Sequence, residues 1–343
     1  MNQLKLLFLC DEIMSYFESV IHILATKYQA QIIMVEQPER KRTSYIAGKK
    51  SEYTYLTKKQ FFSSSIHHEQ IFDLVFVAGW FDLSYLDFAK KQKAKGSKVI
   101  CGFDTFETNP LMLLIKSIAV KFKINNCFTH FWVPGKPQAD FANYINSKNL
   151  PVLQNLYTAD TNLFKPNTYD FKDRKRLLFV GRLEKIKGID LLYNSFKELY
   201  KNFQDWELII IGSGSLSNII LPCPGVKCYP FMSSSELNEL TNQCSVFVLP
   251  SRKEPWGIVL HEFAAKGFVL ICSDKVGSSS VFLNQNENGF KFKHNNAKSI
   301  SDILTMVMQK PLSELTLMGQ KSYELSKRIS PENSAETLMK IFS

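Results

Sequence analysis

The chain has 343 residues, 45% of them hydrophobic and 22% charged, with a formal net charge of +10. That balance excludes a disordered polyelectrolyte, and the length exceeds what one hydrophobic core usually organises, so two domains of roughly 150 to 180 residues are expected. Positive residues gather in the first half, at Arg40, Lys41, Arg42, Lys49, Lys50, Lys58 and Lys59 and again from Lys90 to Lys98. A solvated basic face accounts for them and leaves anionic partners open.

In chain order, Lys5 to Cys10 is apolar, but Asp11 and Glu12 end the run before it reaches the length of a signal-peptide core or a membrane span. It is predicted as a buried strand. Further apolar runs at Gln31 to Val35, Leu74 to Ala78, Lys98 to Cys101 and Cys127 to Val133, with helical patterns between them, make a βαβ series. The segment from Pro110 to Lys123 mixes aliphatic residues with Lys116, Lys121 and Lys123. A buried helix ending in lysines and a helix lying on an anionic membrane both fit it, whereas the lysines interrupt it too soon for a span of about 18 apolar residues.

From Leu150 to Asn167, Pro151 and Pro166 predict an extended connection, which divides the chain into residues 1–160 and 161–328. A second βαβ series follows, with strands expected at Leu177 to Val180, Glu207 to Ile211, Val226 to Tyr229, Val246 to Leu249 and Val269 to Cys272. Two doubly wound parallel sheets result. At the end, Ser330-Pro331-Glu332 offers a helix start, and Ala335, Leu338, Met339 and Phe342 repeat on one face of a docked helix over 329–343. The seven cysteines form no CxxC pair, as in reduced cytosolic proteins.

Two segments carry chemistry. Gly181-Arg-Leu-Glu-Lys-Ile-Lys-Gly188 sits between a strand and a helix, where ligands of such sheets bind. Arg182 and Lys187 there could meet a diphosphate, the first through its bidentate fork and the second as a point charge. Ser251 to Ala265 follows a strand and turns into a helix near Gly257. Free N–H groups of Gly257, Ile258 and Val259 at its positive dipole end would make an anion site. Glu262 lies about 7 Å further along that axis, which suits ribose hydroxyls rather than a phosphate, and Glu254 in the preceding loop would point to a sugar. Taken singly, each segment also reads as an ordinary turn or a solvated helix start.

Together, G-R-L-x-x-x-K-G at Gly181 to Gly188 and E-x7-E at Glu254 and Glu262 resemble the retaining GT-B glycosyltransferases of family 4, the group-1 glycosyltransferases, over about residues 170 to 343. Ile211-Gly-Ser-Gly214, Cys272 to Gly277 and Asn288-Gly289 resemble the same family's donor-domain turns. The resemblance implies an α/β fold of two Rossmann-like domains facing a cleft, with the last helix returning to the first domain. It also implies a nucleotide-diphosphate sugar donor, a glycan or lipid-linked acceptor, and no nucleic-acid partner. Ser233-Ser-Ser-Glu236 is a candidate capping box beside the base, and Tyr229 and Phe231 near it are read as core aromatics.

On the acceptor side, Cys10-Asp-Glu-Ile-Met14 stands where relatives carry a glycine-rich loop, and Asp104 stands where relatives often present a histidine. His67, His68 and His130 are alternatives that titrate near neutral pH. The resemblance implies front-face transfer with retention, the departing diphosphate helping to deprotonate the acceptor. No DxD pair suits a metal and no cofactor is expected, because fixed cations can replace magnesium on the diphosphate. The expected setting is cytoplasmic, possible on the inner membrane face. A GT-B epimerase and a non-catalytic scaffold stay open as alternatives, whereas the absence of GxGxxG after the first strand argues against nicotinamide binding.

Overall fold

A computed structural model describes residues 3–13, 15–38, 52–64, 69–107, 110–124, 126–146, 148–166, 171 and 174–342. The basic cluster at 40–50 and both His67 and His68 lie outside the described residues. The chain forms two compact units, Met1–Thr158 with Pro331–Ser343, and Ala159–Ser330.

The first unit is built on strands β1 (Lys5–Leu9), β2 (Gln31–Glu36), β3 (Thr54–Thr57), β4 (Leu74–Ala78), β5 (Lys98–Gly102), β6 (His130–Trp132) and β7 (Val152–Leu153). They pair in parallel in the order β3-β2-β1-β4-β5-β6-β7. Between them run helices α1 (Ser15–Thr26), α2 (Lys58–Ser63), α3 (Leu83–Ala94), α4 (Pro110–Ile124) and α5 (Lys136–Ile145). A strand sends alternate residues to opposite faces, and here both faces are covered. Leu7, Leu9, Val75 and Val77 enter one core, and Leu6, Phe8, Leu74 and Phe76 enter the other. That is why these strands are continuous apolar runs in the sequence rather than alternating ones.

The second unit repeats the plan with β8 (Arg176–Val180), α6 (Ile189–Leu199), β9 (Glu207–Ile211), β10 (Val226–Tyr229), α7 (Ser234–Thr241), β11 (Val246–Leu249) and α8 (Ile258–Ala265). It continues through β12 (Val269–Ser273), α9 (Ser279–Phe282), β13 (Gly289–Phe292), α10 (Ala297–Met308) and α11 (Leu312–Ser326). Its strands run parallel in the order β10-β9-β8-β11-β12-β13. The last helix, α12 (Pro331–Met339), belongs to the first unit, where Ala335 and Leu338 are fully buried in one core with Phe17, Val20 and Leu24 of α1. The capping box at Ser233 and Glu236 forms.

Three strands escape the sequence reading: β3, β7 and β13. All three are sheet edges. An edge strand is covered less completely, so Thr54–Thr57 needs no apolar run, and the two-residue β7 is too short to show a period. The expected strand from Cys127 to Val133 shrinks to His130–Trp132. Among the described residues no helix is long and apolar enough to cross a membrane.

Candidate active site

In the second sheet the strand order reverses between β8 and β11, so the loops after these two strands diverge and leave a crevice at their carboxyl ends. The loop after β8 holds Gly181 to Gly188, and the loop after β11 holds Ser251 to Gly257. The two motifs therefore meet because of topology, although some 70 residues separate them.

Backbone contacts lace the loops together. Gly181 N–H donates to Ile211 O at 3.0 Å and Leu183 N–H to Ser213 O at 2.9 Å, pinning the first loop on the glycine turn after β9. Its far end is Gly188, in the left-handed region at φ 69°, where a Cβ would stand 1.9 Å from the Pro250 carbonyl oxygen. Only glycine allows both that angle and that approach. Arg252 N–H donates to Ile186 O at 2.8 Å. The Arg252 guanidinium grips Asp190 at 2.6 and 2.9 Å, and holds that carboxyl below the usual range against the opposing effect of burial.

Within this frame Lys187 and Glu254 pair directly, Nζ to Oε2 at 2.5 Å, and Ser251 Oγ donates to the same oxygen at 3.1 Å. Glu254 is buried. Lys187 is therefore not a free cation waiting at the loop, but the partner of a carboxylate that burial would otherwise leave uncompensated. Two of its three N–H donors remain available in principle for an anion. Arg182 differs: its carbonyl accepts from Glu184 N–H at 2.8 Å, but its exposed side chain makes no hydrogen bond or ion pair among the described residues.

Gly257 turns the chain into α8 at φ 83°, with a virtual Cβ only 2.8 Å from Glu254 Cγ. No protein acceptor among the described residues takes the N–H groups of Gly257, Ile258 or Val259. One turn on from Ile258, the Glu262 carboxylate also makes no hydrogen bond among the described residues. By surface area it is half-buried, yet its carboxyl lies in dense surroundings. Desolvation pushes it up to about 7, with the charge of Asp160 next in effect.

Asp104 is the outlier among the expected site residues. It follows β5 in the first unit, and its carbonyl accepts from Gln138 Nε2 at 3.2 Å. His130 lies on β6 beside Thr129 Oγ1 at 2.8 Å, and burial, then Lys98, lowers its pKa. Phe231 corrects the sequence reading: it is 65% exposed and no core residue, while Tyr229 is half-buried at the end of β10.

Two residues of the site went unread. His261 is fully buried, stacked on Phe282 with centroids 4.0 Å apart, and burial takes its pKa down to about 4. Its Nδ1 accepts from Ala159 N–H at 2.9 Å, so the neutral ring donates from Nε2 to Ser326 O at 2.9 Å. It thereby fixes the segment carrying Asp160 against the helix carrying Glu262. The sequence holds a signal for it: successive helical residues point about 100° apart, so a glutamate facing the site puts its predecessor into the core. The other is Trp256, buried, whose indole N–H has no acceptor among the described residues.

Known proteins resemble this chain. Residues 161–325 match the family model for glycosyl transferases group 1. An uncharacterized glycosyltransferase of Haemophilus influenzae is 28% identical over 170 residues, 48% of each chain. A D-inositol 3-phosphate glycosyltransferase of Corynebacterium aurimucosum is 23% identical over 209 residues, 54% of this chain and 49% of that one. The chain thus spans about half the length of the curated relatives it matches. Whole-chain likeness appears in solved structures. Sucrose-phosphate synthase from Thermosynechococcus elongatus superposes with TM-score 0.76 at 14% identity, covering 99% of this chain and 98% of that one. Anabaena HepE in complex with UDP-glucose superposes with TM-score 0.73 at 13% identity, covering 99% of both. The fold is the GT-B fold of these structures, and residues 161–325 are similar to the glycosyl transferases group 1 family.

Proposed function

We propose that the chain transfers a sugar from a nucleotide-diphosphate sugar to a hydroxyl of a glycan or lipid-linked acceptor, with retention at the anomeric carbon and without a metal ion. One observation carries this reading: helix N–H groups, an arginine side chain and a carboxylate that make no hydrogen bond among the described residues lie on the segments that follow β8 and β11, at the switch point. Groups left without protein partners in such a crevice are the ones a ligand satisfies. The relative named a D-inositol 3-phosphate glycosyltransferase and the HepE complex with UDP-glucose support the substrate class.

In this reading the N–H groups of Gly257, Ile258 and Val259 and the Arg182 guanidinium take the diphosphate. Glu262 in its ionised form accepts from the ribose hydroxyls. Glu254, held by Lys187 and Ser251, accepts from a hydroxyl of the transferred sugar. The bond from the anomeric carbon to the diphosphate oxygen breaks while the acceptor oxygen bonds to that carbon from the same face. The acceptor proton passes to the departing diphosphate, whose growing charge Arg182, Lys187 and the helix N-terminus stabilise. Asp104 at the end of β5 is the acceptor-side candidate, and the setting is cytoplasmic.

A thermal-shift panel of UDP-, GDP- and ADP-sugars in EDTA tests the donor assignment on the parent, Arg182→Ala and Glu262→Ala. One nucleotide class should raise the parent's midpoint by mass action, with the shift lost in both variants. No shift with any nucleotide sugar overturns the reading. Donor binding without transfer or hydrolysis would instead make the chain a scaffold. The anomeric configuration of the product, read by proton NMR, tests retention.

A further inference from the structure

The second unit begins at Ala159 and ends at Ser330, and one side chain holds backbone near both of those points. His261, in the middle of α8, accepts the Ala159 N–H at Nδ1 and donates from Nε2 to the Ser326 carbonyl, each at 2.9 Å. Ala159 is the first residue of the unit, and Ser326 is the last of α11, shortly before the chain leaves. His261, Ala159 and Ser326 are all buried, so solvent does not make good a lost bond. The ring carries both bonds only when neutral, because a protonated imidazole offers no acceptor to an amide. Burial secures that form near neutral pH by taking the pKa down to about 4.

Helix α8 is held at two levels. At its start, Ser278 Oγ donates to Gly257 O at 3.0 Å and Ser278 N–H to Trp256 O at 2.9 Å, which fixes the N–H groups of Gly257 to Val259 without His261. The second turn, which carries Glu262, has the two His261 bonds and the stack of Phe263 on Phe247, with centroids 4.4 Å apart. The segment that enters the unit folds onto this second level. Its Asp160 carbonyl accepts from Leu163 and Phe164 N–H at 3.1 and 2.8 Å, and Phe164 meets Phe263 edge-on at 6.3 Å. That turn is therefore seated on α8 at one end by His261 and at the other by Phe164, and between them stands Asp160, whose charge acts on the Glu262 carboxyl. A ring present for volume alone, stacked on Phe282, would need neither bond.

We infer that His261 is a positioning residue of the donor site, its ring tying the entry and the exit of the second unit to α8 and so setting where the Glu262 carboxylate stands, a role that rests on the donor reading of Glu262. The effect falls on donor binding rather than on bond cleavage, because the groups assigned to the diphosphate, the helix N-terminus and Arg182, are held by other contacts or lie on another loop.

Two replacements separate the bonds from the volume. His261→Phe keeps an aromatic ring over Phe282 and removes both bonds, whereas His261→Gln keeps one acceptor and one donor. With the nucleotide sugar selected by the UDP-, GDP- and ADP-sugar panel, His261→Phe should raise the donor KM by about ten-fold at a kcat within about three-fold of the parent, and His261→Gln should recover most of the loss. The loss should vanish in a Glu262→Ala background, where no carboxylate is left to position. Without any ligand, His261→Phe should speed hydrogen exchange at the Ala159 amide by about ten-fold or more, and carboxyl NMR should show Glu262 titrating closer to an ordinary glutamate. Where His261→Phe does not fold, His261→Asn, whose shorter amide takes one partner but not both, carries the same comparison.

A donor KM left unchanged by His261→Phe, a kcat that falls as far as KM rises, or the same loss with Glu262 present and absent overturns the inference. Should the parent bind no nucleotide sugar, the donor reading fails separately, and the His261 clamp stands or falls on the ligand-free measurements, with unchanged exchange or titration overturning it.

Discussion

The two units share a strand order and differ at the same place. Each reverses direction beside its first strand, between β1 and β4 in one and between β8 and β11 in the other. In the first unit the polar side chains there close on each other. Gln37 Nε2 donates to Asp11 Oδ1 and Asp82 Oδ2 at 2.9 Å, Lys58 pairs with Asp82 at 2.5 Å, and Glu36 accepts from Tyr55 and the Ile13 N–H. Burial alone would raise the Asp82 carboxyl, yet the bonds from Lys58, Ser84, Tyr85 N–H and Gln37 hold it well below the usual range. In the second unit the helix N–H groups and the side chains of Arg182 and Glu262 make no hydrogen bond among the described residues. One architecture therefore carries a switch point whose polar side chains pair with one another and a switch point whose polar groups lack such partners among the described residues, and the side chains rather than the fold decide which.

Removing the open groups should cost function, and removing the closed ones should cost stability. The largest effect is expected for Arg182→Ala, a loss of about 100- to 1,000-fold in kcat/KM at little change in melting temperature, as for other preorganised donors. Steady-state transfer assays and calorimetry check the pair of readings, and a full-activity variant would remove Arg182 from the site. Next comes Gly188→Ala, which should destabilise the second unit by about 3 kcal/mol, because both the left-handed angle and the Pro250 oxygen oppose a Cβ. In the first unit Lys58→Met leaves the buried Asp82 carboxylate without its cation and should cost about 2 kcal/mol, with donor-induced thermal shift unchanged. Denaturant titration measures both.

Glu262 sharpens the contrast by pH. Its folded pKa of about 7 lies above the unfolded value, so the stability its protonated form contributes is complete below about 4 and lost as pH rises through 7. Donor affinity should run the other way if, as proposed, the ionised form accepts the ribose hydroxyls. Calorimetric affinity should fall about ten-fold from pH 8 to pH 6, and Glu262→Gln should bind weakly and flatly across that range. Equal pH slopes in parent and variant would dissociate the carboxylate from the ribose.

What was legible in the sequence follows the same division. Central strands such as Val246–Leu249 announce themselves because burial on both faces demands unbroken apolar runs, while the edges β3, β7 and β13 do not. Gly181 to Gly188 and Glu254 to Glu262 are compact in sequence, so the elements that hold them could be placed. The pairing of Lys187 with Glu254 and of Arg252 with Asp190 could not, because each spans more than 60 residues and depends on how β8 and β11 sit side by side. Phe231 misled for a related reason: a large aromatic reads as core unless it is known to follow an edge strand, and Phe231 lies just past β10, which is one.

The smallest effect comes from two buried indoles that differ only in their partners. Trp132, in the first unit, donates from Nε1 to Gln154 O at 2.9 Å, whereas the Trp256 Nε1 has no acceptor among the described residues. Replacing either by Phe removes ring volume from a packed interior and costs a similar packing term. Trp132→Phe also strips the Gln154 carbonyl of its donor, while Trp256→Phe removes a donor whose burial was already unfavourable. The first should therefore destabilise by about 1 to 2 kcal/mol more than the second, which itself should stay within about 1 kcal/mol of the parent. Equal losses in matched denaturant titrations would mean that the Trp256 N–H is satisfied in solution, by water or by a ligand carried through purification. In that case the donor-side loop would be less open than its unpartnered groups imply.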